Sequence, residues 1–276
     1  MATRPVIGSC INRLARRVAP SLRAARTAAH IRNQCELIIG YHLASSSHAD
    51  VNGETWLLDA VGPEVNRFVD LGANVGDWTT ALLVRNPTAQ GIAVEPGIEA
   101  LGQLRARLPA SVTVVPAAAG SAEGTASFFE QPEAGEHSSI IAGWVQEAQR
   151  RQVQVVTVDA LLDRHGWDRL DFLKIDTEGY DGHALEGASQ ALRDHRIGLV
   201  QFEYNRPWRE AGTTLGGVLR SLGNVGYEIR VLRPHGLDAY EYEPFGEFFS
   251  YSNFVALSPA SHLFSRVHSE REDQPC

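Results

Sequence analysis

Apolar residues recur along this chain with two different spacings, and the change from one to the other comes near Arg67. Before it the spacing is helical. Ile7, Ile11, Leu14 and Val18 share one face until Pro20 interrupts, and Ile31, Cys35, Ile38 and His42 form a second stripe. These predict an N-terminal helical cap over residues 1–48, with a targeting presequence or a membrane-surface helix as the alternative. Asn52-Gly53, between Ala49–Val51 and Glu54–Leu58, reads as a tight hairpin turn.

From Arg67 onward short β-rich runs alternate with helical stretches. The expected strands are Phe68–Leu71, Gly91–Glu95, Val112–Val115, Phe172–Ile175 and Gly198–Tyr204. The expected helices are Gly76–Val84, Ile98–Leu108, His183–Leu192 and Thr214–Leu222. Continuous apolar strands separated by helices imply an α/β domain with a mostly parallel sheet covered on both faces. An insertion follows the third strand, with strand-like Thr125–Phe129 and Val153–Thr157 around a polar loop that holds His137, Ser138 and Ser139. Glu228–Leu232 and Ser252–Leu257 close the domain, which is expected to span residues 49–258. A polar tail is expected over residues 259–276.

Three clusters carry candidate chemistry. In Val69-Asp70-Leu71-Gly72-Ala73-Asn74-Val75-Gly76 a strand ends in an acid, and a glycine-bearing turn then opens a helix. A dinucleotide site would want G-x-G-x-x-G to seat a pyrophosphate. The G-x-x-x-G spacing here, preceded by Asp70, suits a ligand that presents an ammonium and a carboxylate instead. Asp70 could take the ammonium, and the amides at the helix start could meet the carboxylate. About 20 residues past that turn, Glu95 closes the second strand, where an acid can grip a ribose diol. The third cluster, Lys174-Ile175-Asp176-Thr177-Glu178-Gly179, places two carboxylates at the end of a buried strand. Unpaired acids are costly to desolvate there, so a partner or a function is implied for Asp176 and Glu178.

Taken together, DLGANVG, VEP, KIDTEGYDGHALEGA and VQFEYN resemble the FkbM family of S-adenosylmethionine-dependent methyltransferases, over about Asn52 to Ala256. The resemblance implies a Rossmann-like class I methyltransferase fold with a seven-stranded, mostly parallel sheet. It implies methyl transfer to a hydroxyl of a small molecule, often a polyketide, sugar or other secondary metabolite. By position, Asp70, Gly72, Ala73, Asn74 and Gly76 would line the methionine end of S-adenosyl-L-methionine and Glu95 would hold its ribose. Ala117, Ala118 and Ala119 would face the adenine, with Glu123 the nearest acid. Where the family commonly has Glu, this chain has Asp181.

Methyl transfer to a hydroxyl needs alignment and removal of a proton. Candidate catalytic residues are Asp176, Glu178, His183, seven residues past Asp176, and His137. An alternative groups Asp176, Glu203 and Asn205 as oxygen ligands for Mg²⁺, which would lower the hydroxyl's pKa. The metal-free arrangement is favoured on the reading that each acid pair faces the crevice together only if the backbone leaves strand geometry, although side chains two apart on a strand do share a face.

Composition narrows the partners. The 276 residues carry a formal net charge of −8, and no aromatic-basic groove pattern is visible, which argues against nucleic acid. Cys10, Cys35 and Cys276 share no ligand or disulfide spacing, so a reducing compartment, the cytoplasm, is expected. No apolar run reaches the roughly 18 residues of a membrane span. A homo-oligomer is compatible with the sequence. Competing readings are an N-methyltransferase, a nicotinamide-dependent oxidoreductase and a binding module without catalysis.

Overall fold

The computed structural model describes residues 16–17, 19–43, 48–130, 139–141 and 149–269. The chain divides into two units, Met1–Leu43 and Ala44–Cys276. In the first, Leu22–Leu43 form one helix of 22 residues. The expected stripe from Ile7 to Val18 lies outside the described residues.

The second unit is built on an eight-stranded sheet. Its strands are β1 (Arg67–Leu71), β2 (Gln90–Val94), β3 (Val112–Val115), β7 (Leu170–Ile175), β8 (Ile197–Tyr204), β9 (Glu228–Arg233), β10 (Gly236–Ala239) and β11 (Ser252–Leu257). The order across the sheet is β10-β9-β11-β8-β7-β1-β2-β3. β3, β2, β1, β7 and β8 run parallel, while β11 lies antiparallel between β8 and β9. The family resemblance implies seven strands. The eighth, β10, pairs back on β9 from Gly236↔Arg233 to Ala239↔Arg230, and its single buried apolar residue, Leu237, is too weak a signal to read from the sequence. A separate three-stranded sheet, in the order β4 (Ala118–Ala119), β6 (Gln149–Val156), β5 (Gly124–Glu130), forms from the insertion.

Strand alternation sorts the core into two layers. Val69, Leu71, Ile92, Val94, Leu173 and Ile175 pack with residues of the helices Val158–Arg164, Asp181–Glu186, Ser189–Arg193 and Leu215–Asn224. On the opposite face Phe68, Phe172, Leu199 and Val255 pack with Leu57, Trp78, Leu82 and Leu104. Trp78 meets Phe68 and Phe172 edge-on, at 5.9 and 5.1 Å between ring centres. Each fully buried large apolar side chain of this kind contributes roughly 1.5–3 kcal/mol.

Three further expectations change. Asn52-Gly53 joins two helices, Ala49–Asn52 and Glu54–Val61, and is not a hairpin turn. Gly53 has φ +97° and reverses the chain between them, while Asn52 Oδ1 accepts from the Glu54 amide at 2.9 Å. The dipeptide signals positive φ, and it is the flanking residues that decide between strand and helix. The expected His183–Leu192 helix is two helices, broken where the Gly187 carbonyl turns to accept from the Asp159 amide. The polar tail expected after Ser258 is ordered in part: Phe264–Ser269 are helical, and Leu263 and Val267 are buried with Leu57 and Leu58. Two apolar residues spaced by four are enough to dock a short helix that its polar neighbours disguise.

Leu263→Ala should therefore destabilise the domain by about 2–5 kcal/mol, the cost of a fully buried leucine. Urea denaturation checks this; a change near zero would return the segment to a dispensable tail.

Candidate active site

The strand order reverses at β1, whose neighbours are β2 and β7, and open α/β sheets bind ligands at such a point. A cavity of about 850 Å³ lies there. It is lined by the ends of β1, β2, β7 and β8 through Asp70, Glu95, Asp176 and Glu203.

The glycine turn after β1 is held against both neighbouring strands. The Gly72 and Ala73 amides donate to the Val94 carbonyl at 2.9 and 3.1 Å. Gly72 has φ +79°, and a Cβ on it would lie 1.8 Å from the Asp176 carbonyl oxygen. Glycine is thus required by the close passage of β1 and β7, before any ligand is considered. The helix Asp77–Arg85 begins directly after Gly76.

Below the turn lies a buried charge network. In the sheet register Asp70, Lys174 and Gln201 stand side by side on β1, β7 and β8. Lys174, the only lysine of the chain, donates to Asp176 Oδ2 at 2.9 Å. Burial pulls its pKa down, but Asp176, Asp70 and Glu54 together hold it well above the usual lysine value. Gln201 Nε2 donates to Glu54 Oε1 at 2.6 Å, and Asn52 Nδ2 to Glu54 Oε2 at 3.1 Å. Asp70 is fully buried, which raises its pKa, with Lys174 opposing. Thr79 Oγ1 donates to Asp70 Oδ2 at 2.6 Å, while Oδ1 is buried, with no hydrogen-bond partner.

Glu95 closes the other side. Its Oε2 accepts from the Asn74 amide at 2.9 Å and its Oε1 from the Gly97 amide at 2.6 Å. Burial outweighs those two bonds and pushes the carboxyl up to about 7. Ala117, Ala118, Phe128, Glu130 and Ile140 continue the wall, so the insertion borders the cavity. Glu130 Oε1 accepts from the Ile98 amide at 2.6 Å, and its Oε2 pairs with Arg151 at 3.1 Å.

At the end of β8, the Asn205 amide donates to Glu203 Oε1, and the Asn205 Oδ1 is buried with no hydrogen-bond partner. Burial drives the Glu203 carboxyl well above the usual range, and Asp176, Glu178 and Asp181 add to it. Asp181 lies beneath, accepting from Thr177 Oγ1 at 2.9 Å and from the Glu203 amide at 3.2 Å; burial pushes it up to about 7. Phe249 and Tyr251 enter the cavity from the segment before β11. Glu247 anchors that segment by accepting from Tyr204 Oη, Tyr242 Oη and the amides of Leu215 and Gly216 at 2.9–3.0 Å.

Most of the candidate residues read from the sequence meet here. Asp70, Gly72, Ala73, Asn74, Glu95, Ala118, Asp176, Glu178, Glu203 and Asn205 all line the cavity. Gly76 does not; it begins the helix beside it, and a Cβ there would press on Leu104. His183 is also outside the lining, its ring nitrogens 3.1 Å from Glu186 Oε2 and 3.1 Å from the Ala211 carbonyl. His137 lies outside the described residues. Glu123 pairs with Arg164 and is not part of the lining. Among the described residues no three His, Cys, Asp or Glu side chains group to hold a metal ion. The sequence did not single out Glu54, Glu130, Phe249 or Tyr251, although Glu130 and Phe249 fall in two variable segments, 130–151 and 234–250, that it marks as pocket-building. None of them sits in a motif, and only folding brings them to the strand ends.

The strand order and the cavity at the end of β1 define the fold of class I S-adenosylmethionine-dependent methyltransferases. The model of the methyltransferase FkbM domain matches residues 70–229, and the chain belongs to that family. Among solved structures, the chain is similar to methyltransferase FkbM from Methylobacillus flagellatus KT, at 18% identity and a TM-score of 0.43, covering 69% of this chain and 43% of that one. It thus spans less than half the length of that relative. A TehB-like SAM-dependent methyltransferase from Corynebacterium glutamicum is 15% identical, at a TM-score of 0.41, over 75% of this chain and 87% of that one. Aeropyrum pernix fibrillarin with natively bound S-adenosyl-L-methionine is 15% identical, at a TM-score of 0.38, over 70% and 67%. No curated protein matches the chain.

Two outcomes follow from the geometry. A branched side chain at Gly72 would be expected, from the sequence, to block a ligand in an intact fold. Because a Cβ there would stand 1.8 Å from the Asp176 carbonyl oxygen, even Gly72→Ala should instead lower the melting temperature of the ligand-free protein; an unchanged melting curve refutes this. The second concerns pH. Glu95 and Asp181 keep their protons up to about 7 when folded but lose them near the ordinary 4.5 and 3.8 when unfolded. Their contribution to stability is therefore present at low pH and is lost as pH rises through about 7. Asp181→Asn should flatten the fall in melting temperature across that window, and a slope equal to wild type would contradict it.

Proposed function

We propose that the chain is an S-adenosylmethionine-dependent O-methyltransferase acting on a hydroxyl of a small molecule, with a polyketide or sugar moiety of a secondary metabolite as the acceptor class. The observation that carries the reading is Asp70 Oδ1, fully buried at the glycine turn and without a partner. A buried carboxylate oxygen left bare is costly, and a ligand ammonium would satisfy it. Gly72, Ala73 and Asn74 would border the methionine portion, Glu95 the ribose, and Ala118, Phe128 and Glu130 the adenine. When bound, the cofactor supplies an electrophilic methyl group on its sulfonium.

The protein's part is to position the acceptor and accept a proton. Lys174 neutralises Asp176 from below, so Asp176 is suited to orienting the acceptor, with Glu178 beside it on the same turn. Glu203, with Asn205 donating to one of its oxygens, is the candidate proton acceptor; burial and the neighbouring Asp176, Glu178 and Asp181 raise its pKa, so it can act as a base only once ionised. His183 is occupied on both nitrogens and is better suited to packing against Tyr180, with ring centres 4.3 Å apart. A resident Mg²⁺ on Asp176, Glu203 and Asn205 does not fit this donor set: the Lys174 ammonium already occupies Asp176, and the Asn205 amide hydrogens face Glu203. The wall of acids disfavours nucleic acid as acceptor, and the reading places the enzyme in the cytoplasm.

Calorimetry with S-adenosylhomocysteine tests the cofactor assignment. Ribose hydroxyls bind the ionised form of Glu95, so affinity should rise as pH passes upward through about 7. Glu95→Gln should remove that dependence and weaken binding about tenfold or more at high pH. Binding that is absent, or indifferent to Glu95, overturns the assignment. Methyl transfer to hydroxylated acceptors should also persist in EDTA; loss on chelation and recovery with Mg²⁺ would restore the metal reading.

A further inference from the structure

The helix Leu22–Leu43 presents an apolar face that no other described residue of its own unit covers. Ala24, Ala28, Ile31, Cys35 and Ile38 follow one another at alternating spacings of four and three, which places them on one side of a helix. Ala28, Ile31, Cys35 and Ile38 are exposed, Ile31 by 57% and Ile38 by 70%, and Ala24 is half-buried. Arg23, Arg26 and His30 lie on the other side. Exposed apolar area in a continuous stripe, backed by bases, marks a surface that meets something.

Charge decides what that something is. Before Glu36 the chain has seven arginines and no acid, while the residues from Glu36 onward hold all 33 acids. The spacing of the stripe would also suit a two-stranded coiled coil with a second copy. The positions flanking such a seam, however, are Ala25, Thr27, Arg32, Gln34, Ile39 and Tyr41, which offer no opposite charges to a twin, and the two arginine-rich segments would repel each other. The Ala28 and Cys35 positions fill a coiled-coil core poorly. A negatively charged bilayer surface meets both halves of the pattern, the arginines taking the phosphate headgroups and the isoleucines entering the boundary with the acyl chains. Among the described residues no helix is long and apolar enough to cross a membrane, which leaves this one the geometry of lying along the surface.

We propose that the helix Leu22–Leu43 binds anionic lipid surfaces peripherally, through Ile31 and Ile38 on its apolar face and the arginines around it. A methyltransferase held in this way would meet acceptors presented at the cytoplasmic leaflet.

Flotation of the full chain with phosphatidylglycerol–phosphatidylcholine vesicles, against phosphatidylcholine alone, tests this at low and high salt. Wild type should float with the anionic vesicles at low salt and lose binding at high salt, as screened charges do. The double variant Ile31→Asp/Ile38→Asp should bind about tenfold less or weaker still, since two apolar side chains would be replaced by charges in the interface. Arg23→Glu/Arg26→Glu should bind less to anionic vesicles. Melting curves of both variants should match wild type, because the substituted side chains are exposed. The proposal is overturned if wild type stays unbound, if it binds both vesicle types equally, or if the aspartate pair binds as wild type does. It is equally overturned if light scattering finds a dimer that the aspartate pair splits, since a second copy would then cover the face.

Discussion

One buried ammonium sets the terms for the cavity floor. Lys174 lies at the centre of a fully parallel part of the sheet, where desolvating an isolated charge costs several kcal/mol. It stays charged because Asp176, Asp70 and Glu54 surround it, and those acids in turn tolerate burial because it is there. Removing one member of such a group typically costs about 3–5 kcal/mol, since the others are left unpaired. The register of β1, β7 and β8 is thereby tied to chemistry: a slip by one residue would send Asp70, Lys174 or Gln201 to the opposite, apolar face.

The same floor explains how the two ends of the cavity differ. Toward β2, Glu95 accepts from two backbone amides, Asn74 and Gly97, and so joins the glycine turn to the start of the next helix. Toward β8, burial raises the Glu203 carboxyl well above its usual pKa, and Asp176, Glu178 and Asp181 add to it while Asn205 opposes. Backbone strain gathers in the same place. Of the four non-glycine residues with positive φ among those described, Asn74, Glu178 and Phe249 line the cavity. Each such conformation costs of order 1–3 kcal/mol, and it persists where surrounding bonds overdetermine it. Glu247, with its four hydrogen bonds, does this for the segment that carries Phe249.

Charge is also partitioned along the chain in a way that neither end of the cavity requires. The acids that crowd the strand ends belong to the second unit, whereas the arginine-rich stretch precedes it. An acidic unit and a basic helix suit different partners, which is the pattern the proposed cationic cofactor and anionic surface would meet.

The sequence by itself determined the alternation of strands and helices, the parallel sheet, and the core of the site at Asp70, Gly72, Glu95 and Asp176. Each of these depends on local rules: an unbroken apolar run, a turn that only glycine permits, an acid at a strand end. Even there the reason for Gly72 came from elsewhere, because only the packed sheet brings the Asp176 carbonyl up against it. Tertiary structure alone decided the rest. It made helices of the residues around Asn52-Gly53, added β10 to the sheet edge and docked Leu263 and Val267 under the first helices of the domain. It also took His183 out of the cavity and brought in Glu54, Glu130, Phe249 and Tyr251. These positions are separated by tens to hundreds of residues, and no periodicity encodes contacts at that range; they follow from how the layers pack and from which buried polar groups must find partners.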